Sequence, residues 1–173
     1  MSVIDEVLAA NRGYAESFRL GALPMPPARK LAIVACMDAR LTIETMLGLK
    51  TGDAHVIRNA GGIVTVDALR SLIISHYLLG TQEFMVINHT DCGMLTFHDH
   101  DLHERLRKET GADAVAPGAF CAFDDVEENV RRQMLKLKSH PWVPQQIPVR
   151  GFVYDVRSGK LGEVSAQKSR TAA

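Results

Sequence analysis

Leu31-Ala-Ile-Val-Ala-Cys-Met-Asp-Ala-Arg40 and Phe84-Met-Val-Ile-Asn-His-Thr-Asp-Cys-Gly93 decide how this chain is read. Each opens on an apolar run with β-branched members, Leu31 to Ala35 and Phe84 to Ile87, and passes straight into residues able to do chemistry. Continuous apolar runs of this length mark strands of a parallel sheet covered on both faces. In such a sheet ligands bind beyond the carboxyl ends of the strands, so Cys36-Met-Asp38-Ala-Arg40 and His89-Thr-Asp-Cys92-Gly93 are expected to converge.

Working outward, His55 to Arg58 reads as a third strand, and Asp67 to Leu79, apolar almost all round and closed by Gly80, as a helix. The pattern is β-α-β-α-β, an α/β fold with a mainly parallel sheet flanked by helices. A further helix opens at His98 and runs to Lys108. Asp124 to Lys138 aligns Val126, Val130, Met134 and Leu137 on one stripe, with acids first and bases last, the order that suits the helix dipole. Gly151 to Tyr154 and Leu161 to Val164 flank Arg157-Ser-Gly-Lys160 as a closing strand or hairpin. At the amino end, Val3, Val7, Ala10, Tyr14 and Phe18 recur at helical spacing, followed by the proline-broken linker Gly21 to Pro27. The expected layout is one domain over 1–173: an amino-terminal helix within 1–20, a core over 28–166 and a frayed tail over 167–173.

The 173 residues are enough to bury a core without staples, and 46% hydrophobic with 23% charged residues excludes a disordered chain. Lys plus Arg and Asp plus Glu both total 20, so no net field draws in a phosphate backbone and no nucleic-acid partner is expected. Leu31 to Met37 and Ser71 to Gly80, the longest apolar stretches, fall short of the ~20 residues that span a bilayer. The amino terminus has no basic region followed by an apolar one, so the reading is cytoplasmic, with no membrane partner. Three cysteines, with Cys36 and Cys92 beside Asp and His, favour metal binding or catalysis over a disulfide framework.

Cys36, His89 and Cys92 are the donor types zinc prefers, and three of them leave a fourth tetrahedral position. The alternatives are a structural zinc knot and buried cysteines acting as small hydrophobes. A closed structural site shows four clear ligands, and here there are three. Asp38 has two partners within reach: taken by the metal it closes the site, and held by Arg40 in a bidentate pair it leaves the site open.

Cys36-x-Asp38-x-Arg40 and His89-x-x-Cys92 resemble the signature of the β-class carbonic anhydrases, in their compact prokaryotic branch. Gly52-Asp-Ala-His-Val-Ile-Arg-Asn-Ala-Gly-Gly62 and the closing Arg150 to Asp155 segment extend the likeness. The resemblance implies a Zn2+ lyase that reversibly hydrates carbon dioxide to bicarbonate and a proton. Cys36, His89 and Cys92 would bind the metal, and Asp38 and Arg40 would form the catalytic dyad, with Asp38 a fourth ligand in an inactive form. It also implies a homodimer, or a tetramer of paired dimers, in which the amino-terminal helix packs on the partner. Zinc lowers the pKa of its water to ~7 in the three-histidine carbonic anhydrases, the reference case, and two thiolates should hold it somewhat higher. Ala39 departs from the Ser many members carry there. Two other functions share these residues: hydrolysis of carbon disulfide or carbonyl sulfide on the same site, and a silent zinc-binding scaffold. His98, His100 and His103 read as solvated residues of a helix start rather than a second metal site or a proton relay. His55 reads as structural rather than as a proton shuttle, and Cys121 as a plain thiol.

Overall fold

The structure is a computed structural model and describes residues 2–167. Of the tail expected over 167–173, residues 168–173 lie outside the described residues. Five strands form one sheet in the order β2-β1-β3-β4-β5, with β1 Leu31–Cys36, β2 Ala54–Asn59, β3 Glu83–His89, β4 Val149–Tyr154 and β5 Leu161–Val164. The first four are parallel, and β5 returns antiparallel to β4 as the closing hairpin. The chain steps from β1 to β2 on one side and then to β3 on the other, so the strand order reverses between β1 and β3. That reversal opens a crevice at their carboxyl ends.

Strand β1 shows why the apolar run is unbroken. Ala32 and Val34 enter one core cluster with Val64, Leu72, Phe84, Val86 and Leu137. Ile33 and Ala35 enter the opposite one with Leu41, Ile43, Ile63, Ile87 and Phe123. A side-chain period of two therefore buries every residue when helices cover both faces. The helices are α1 Val3–Ser17, α2 Ile43–Leu47, α3 Val66–Leu79, α4 Asp99–Thr110 and α5 Val126–Lys138. Helix α5 begins after Asp125, whose carboxylate accepts from the Glu128 N–H as its cap, so the expected start at Asp124 moves inward. Strand β2, which the sequence analysis reads as a third strand, lies at the sheet edge, because the crossover passes back over β1. Helix α2, one turn with only Ile43 buried, is too short to announce itself by periodicity.

Helix α1 is capped by a reciprocal box in which Asp5 N–H donates to the Ser2 hydroxyl and Ser2 N–H to the Asp5 carboxylate. None of its residues is buried, and Val3 and Ile4 are 73% and 68% exposed, so the described residues of its own chain leave its apolar stripe largely open.

Gly151 on β4 lies where α5 approaches the sheet closely. A Cβ there would meet Val130 and Met134 well inside van der Waals contact. Gly151→Ala should lift α5 from the sheet at a cost of about 1–3 kcal/mol. A thermal melt should show a Tm lower by about 5 °C, and an unchanged Tm would contradict this packing.

Candidate active site

Cys36 ends β1 and His89 ends β3, neighbours in the ladder that pairs Ala35 with Ile87. After His89 the chain turns through Thr90 and Asp91 and brings Cys92 back beside it. The two sulfur atoms stand 4.0 Å apart, and Sγ of Cys36, Sγ of Cys92 and a ring nitrogen of His89 all lie within 4.8 Å of one another. Tetrahedral zinc with Zn–S of ~2.3 Å requires sulfurs ~3.8 Å apart, so the spacing fits. All three side chains are buried. Nδ1 of His89 donates to the Thr90 carbonyl at 2.9 Å, since a carbonyl can only accept. Its buried Nε2 has no hydrogen-bond partner. An orphaned imidazole nitrogen beside two thiols is a ligand set for a soft dication.

The hydrogen bond from Cys92 pulls the Cys36 thiol down to about 4. The same contact, with burial, pushes Cys92 up. Two thiols thus share one proton, which a metal displaces. Burial draws the His89 imidazole down, but the Cys36 sulfur, the Thr90 carbonyl and the Asp38 carboxylate outweigh it and leave the pKa raised.

Arg40 engages Asp38 bidentately, Nε to Oδ1 at 3.0 Å and Nη2 to Oδ2 at 2.8 Å, and the Arg40 N–H adds a third bond to Oδ1 at 2.9 Å. The hydrogen bonds from Arg40 hold the Asp38 carboxyl well below the usual carboxylate range. A depressed carboxylate stabilises the fold above its unfolded pKa, and that contribution is lost as pH falls through the folded value, so Asp38 is ionised at neutral pH. Oδ2 of Asp38 lies 3.7 Å from Nε2 of His89. Asp38 therefore stands at the mouth of the cluster, held by Arg40.

The sequence profile of the carbonic anhydrase family matches residues 31–161. This chain belongs to the β-carbonic anhydrases. It is 50% identical over 166 residues to β-carbonic anhydrase 1 of Mycobacterium tuberculosis, covering 95% of this chain and 99% of that one. A crystal structure of carbonic anhydrase from Streptococcus mutans superposes with a TM-score of 0.90 at 44% identity, over 95% of this chain and 99% of that one. A carbon disulfide hydrolase of Acidithiobacillus thiooxidans is 35% identical, over 83% of this chain and 76% of its own length. Zinc is the metal of the β-carbonic anhydrases, and the Cys36, His89, Cys92 group can hold it.

Arg58 and a set of buried amides around this β-carbonic anhydrase cluster escaped the sequence reading, whereas Asn59 and Gly61-Gly62 read as shaping the loop beside it. Arg58, at the end of β2, donates from Nε to the Cys36 carbonyl at 2.9 Å and from Nη2 to the Asp38 carbonyl at 2.6 Å, tying down the first motif. Behind the cluster, a chain of buried amides begins and ends on one turn. The Val64 N–H donates to Gln133 Oε1, Gln133 to Asn129 Oδ1, Asn129 to Asn88 Oδ1, and Asn88 to the Gly61 carbonyl. Gly62 in that turn has φ 61°, and a Cβ there would stand 2.7 Å from Asn88 Nδ2 and 3.0 Å from the Cys36 nitrogen. No other residue fits. The readable signal was Asn129 and Gln133, polar residues at i and i+4 inside the apolar stripe of α5.

The remaining candidates lie apart. His55 bonds through Nδ1 to Ser75 Oγ at 2.7 Å, a structural contact between β2 and α3. His98 and His100 are exposed at the start of α4, and His103 packs at a tilt against Phe120, ring centroids 4.8 Å apart. Among the described residues, the three histidines are not part of the metal-ligating group. Cys121 is free and exposed.

His89→Ala removes the only nitrogen donor of the group. Zinc affinity, measured by metal analysis after dialysis against a graded chelator, should fall about 100-fold or more. His55→Ala should keep its zinc, and equal retention by both variants would refute the ligand set.

Proposed function

We propose that this chain is a zinc-dependent carbonic anhydrase, interconverting carbon dioxide and bicarbonate with release of a proton. The observation that carries the reading is the bare, buried Nε2 of His89 beside two thiols, with Asp38 turned to Arg40 rather than joining them as a fourth donor. Cys36, His89 and Cys92 hold the ion. Zinc, when bound, supplies Lewis-acid polarisation that brings the pKa of water down toward neutrality.

The ionised Asp38 can only accept a hydrogen bond. Its Oδ2, at the mouth of the cluster, takes the O–H of the attacking oxygen and turns that oxygen's lone pair toward carbon. Arg40 fixes the carboxylate, and Arg58 fixes the loop that carries it. Isoleucines 33, 63 and 87, with Met94 and Phe123, give the cysteines an apolar surround that suits a small uncharged substrate. Carbon disulfide is the second reading, because relatives carry that name, but these are 33–36% identical to this chain, whereas β-carbonic anhydrase 1 is 50% identical and covered nearly end to end.

The exposed stripe of α1 supports a homodimer in which each helix packs on the partner, with a tetramer by further pairing. The cytoplasm suits three free cysteines, two of which need to stay reduced to bind metal. No helix among the described residues is long and apolar enough to cross a membrane.

Stopped-flow assay of carbon dioxide hydration tests the reaction. Asp38→Ala should keep its zinc while turnover falls about 100-fold or more. Full turnover by that variant would remove Asp38 from the chemistry, and hydrolysis of carbon disulfide without hydration of carbon dioxide would favour the second reading. Light scattering should give at least twice the chain mass, and Val7→Asp, exposed on the isolated chain, should shift it toward one chain. A native monomer would contradict the dimer.

A further inference from the structure

Arg40 presents five N–H donors in a rigid fork, and Asp38 takes only one side of it. The other side belongs to Asp91, a residue of the His89 to Cys92 turn. Nη1 of Arg40 donates to Asp91 Oδ2 at 2.7 Å, and Nη2 to the Asp91 carbonyl at 2.9 Å. Asp91 has φ 55°, in the left-handed region that Asp tolerates better than most residues. That backbone turns both its carbonyl and its carboxylate toward Arg40. Two acids from two separate loops therefore grip one guanidinium.

Asp38 has somewhere else to go. Its Oδ2 is 3.7 Å from Nε2 of His89, so a small side-chain rotation carries it into the metal-ligating group. Among the described residues Arg40 is what draws it away, and the Arg40 side chain is 46% exposed on a long flexible stem. An exposed ion pair standing alone is weak and competes poorly with a dication for the same carboxylate. A second acid that pins the fork in place removes the ordering cost of holding it ready.

We propose that Asp91 is a positioning residue for the reaction: by fixing the guanidinium of Arg40 it keeps Asp38 on Arg40 and out of the metal's coordination sphere. The inference deepens the zinc reading above and rests on it. Asp91 acts through Arg40, and its side chain is 71% exposed, so removing it leaves the fold largely intact.

The test uses full-length protein loaded with cobalt(II) in place of zinc and titrated with thiocyanate, followed by visible absorption. Asp91→Gly keeps the left-handed backbone and deletes the carboxylate. It should bind thiocyanate about tenfold more weakly, because the anion must first displace Asp38. Asp91→Asn keeps an acceptor for Arg40 and should lie within about threefold of the native protein. The sign is diagnostic: losing a negative charge without closure of the site would tighten anion binding. Thiocyanate binding by Asp91→Gly that equals or exceeds the native overturns the proposal, as does a crystal structure of the zinc-loaded variant with Asp38 still on Arg40. Should Asp91→Gly fail to take up cobalt, Asp91→Ala, which likewise deletes the carboxylate, carries the same comparison, and thiocyanate binding by it that equals or exceeds the native overturns the proposal. Native protein that binds cobalt and thiocyanate but does not hydrate carbon dioxide would sink the proposed function and leave this inference standing.

Discussion

Because Ala35 lies opposite Ile87 in the parallel ladder between β1 and β3, the two segments leave the sheet side by side and in the same direction. Everything chemical follows from that pairing. A slip of one residue would send the side chains to the wrong faces and part the Cys36 sulfur from the imidazole of His89. The register is held in turn by apolar residues on both faces, so the metal site is a by-product of how a hydrophobic strand must be covered.

The same arrangement explains why ordinary residue types behave unusually here. Cys36 and Cys92 sit among isoleucines, Met94 and Phe123, where an isolated thiolate would be costly. Their mutual contact, the imidazole beside them and the metal they are suited to hold offset that cost. Asp38 stands a few ångströms away in a wetter setting, where an arginine keeps it charged. One apolar wall and one charged rim thus meet at a single point, at the carboxyl ends of β1 and β3.

How much of this was legible in the sequence depended on how local the signal was. Leu31 to Ala35 and Phe84 to Ile87 announced strands because each fills both faces, and Cys36, His89 and Cys92 announced a metal because their donor chemistry is narrow. The hairpin of β4 and β5 and the stripes of α1 and α5 were equally plain. Strand β2 was found but not its place at the edge, since strand order is decided by crossovers rather than by composition. Asp91 and Arg58 were missed for a related reason. Their partners, Arg40 and the carbonyls of Cys36 and Asp38, are distant along the chain, and a charged residue in a loop looks solvated until the fold brings its partner near.

The amides of Asn88, Asn129 and Gln133 close a circuit on the turn between Gly61 and Val64, and none of them can gain or lose a proton in the range where proteins survive. A catalyst whose business is to shed hydrogen ions into its own surroundings needs a chassis indifferent to them. Here the frame behind the ion is neutral by composition, so local acidification can alter the reacting groups without loosening the scaffold that aligns them.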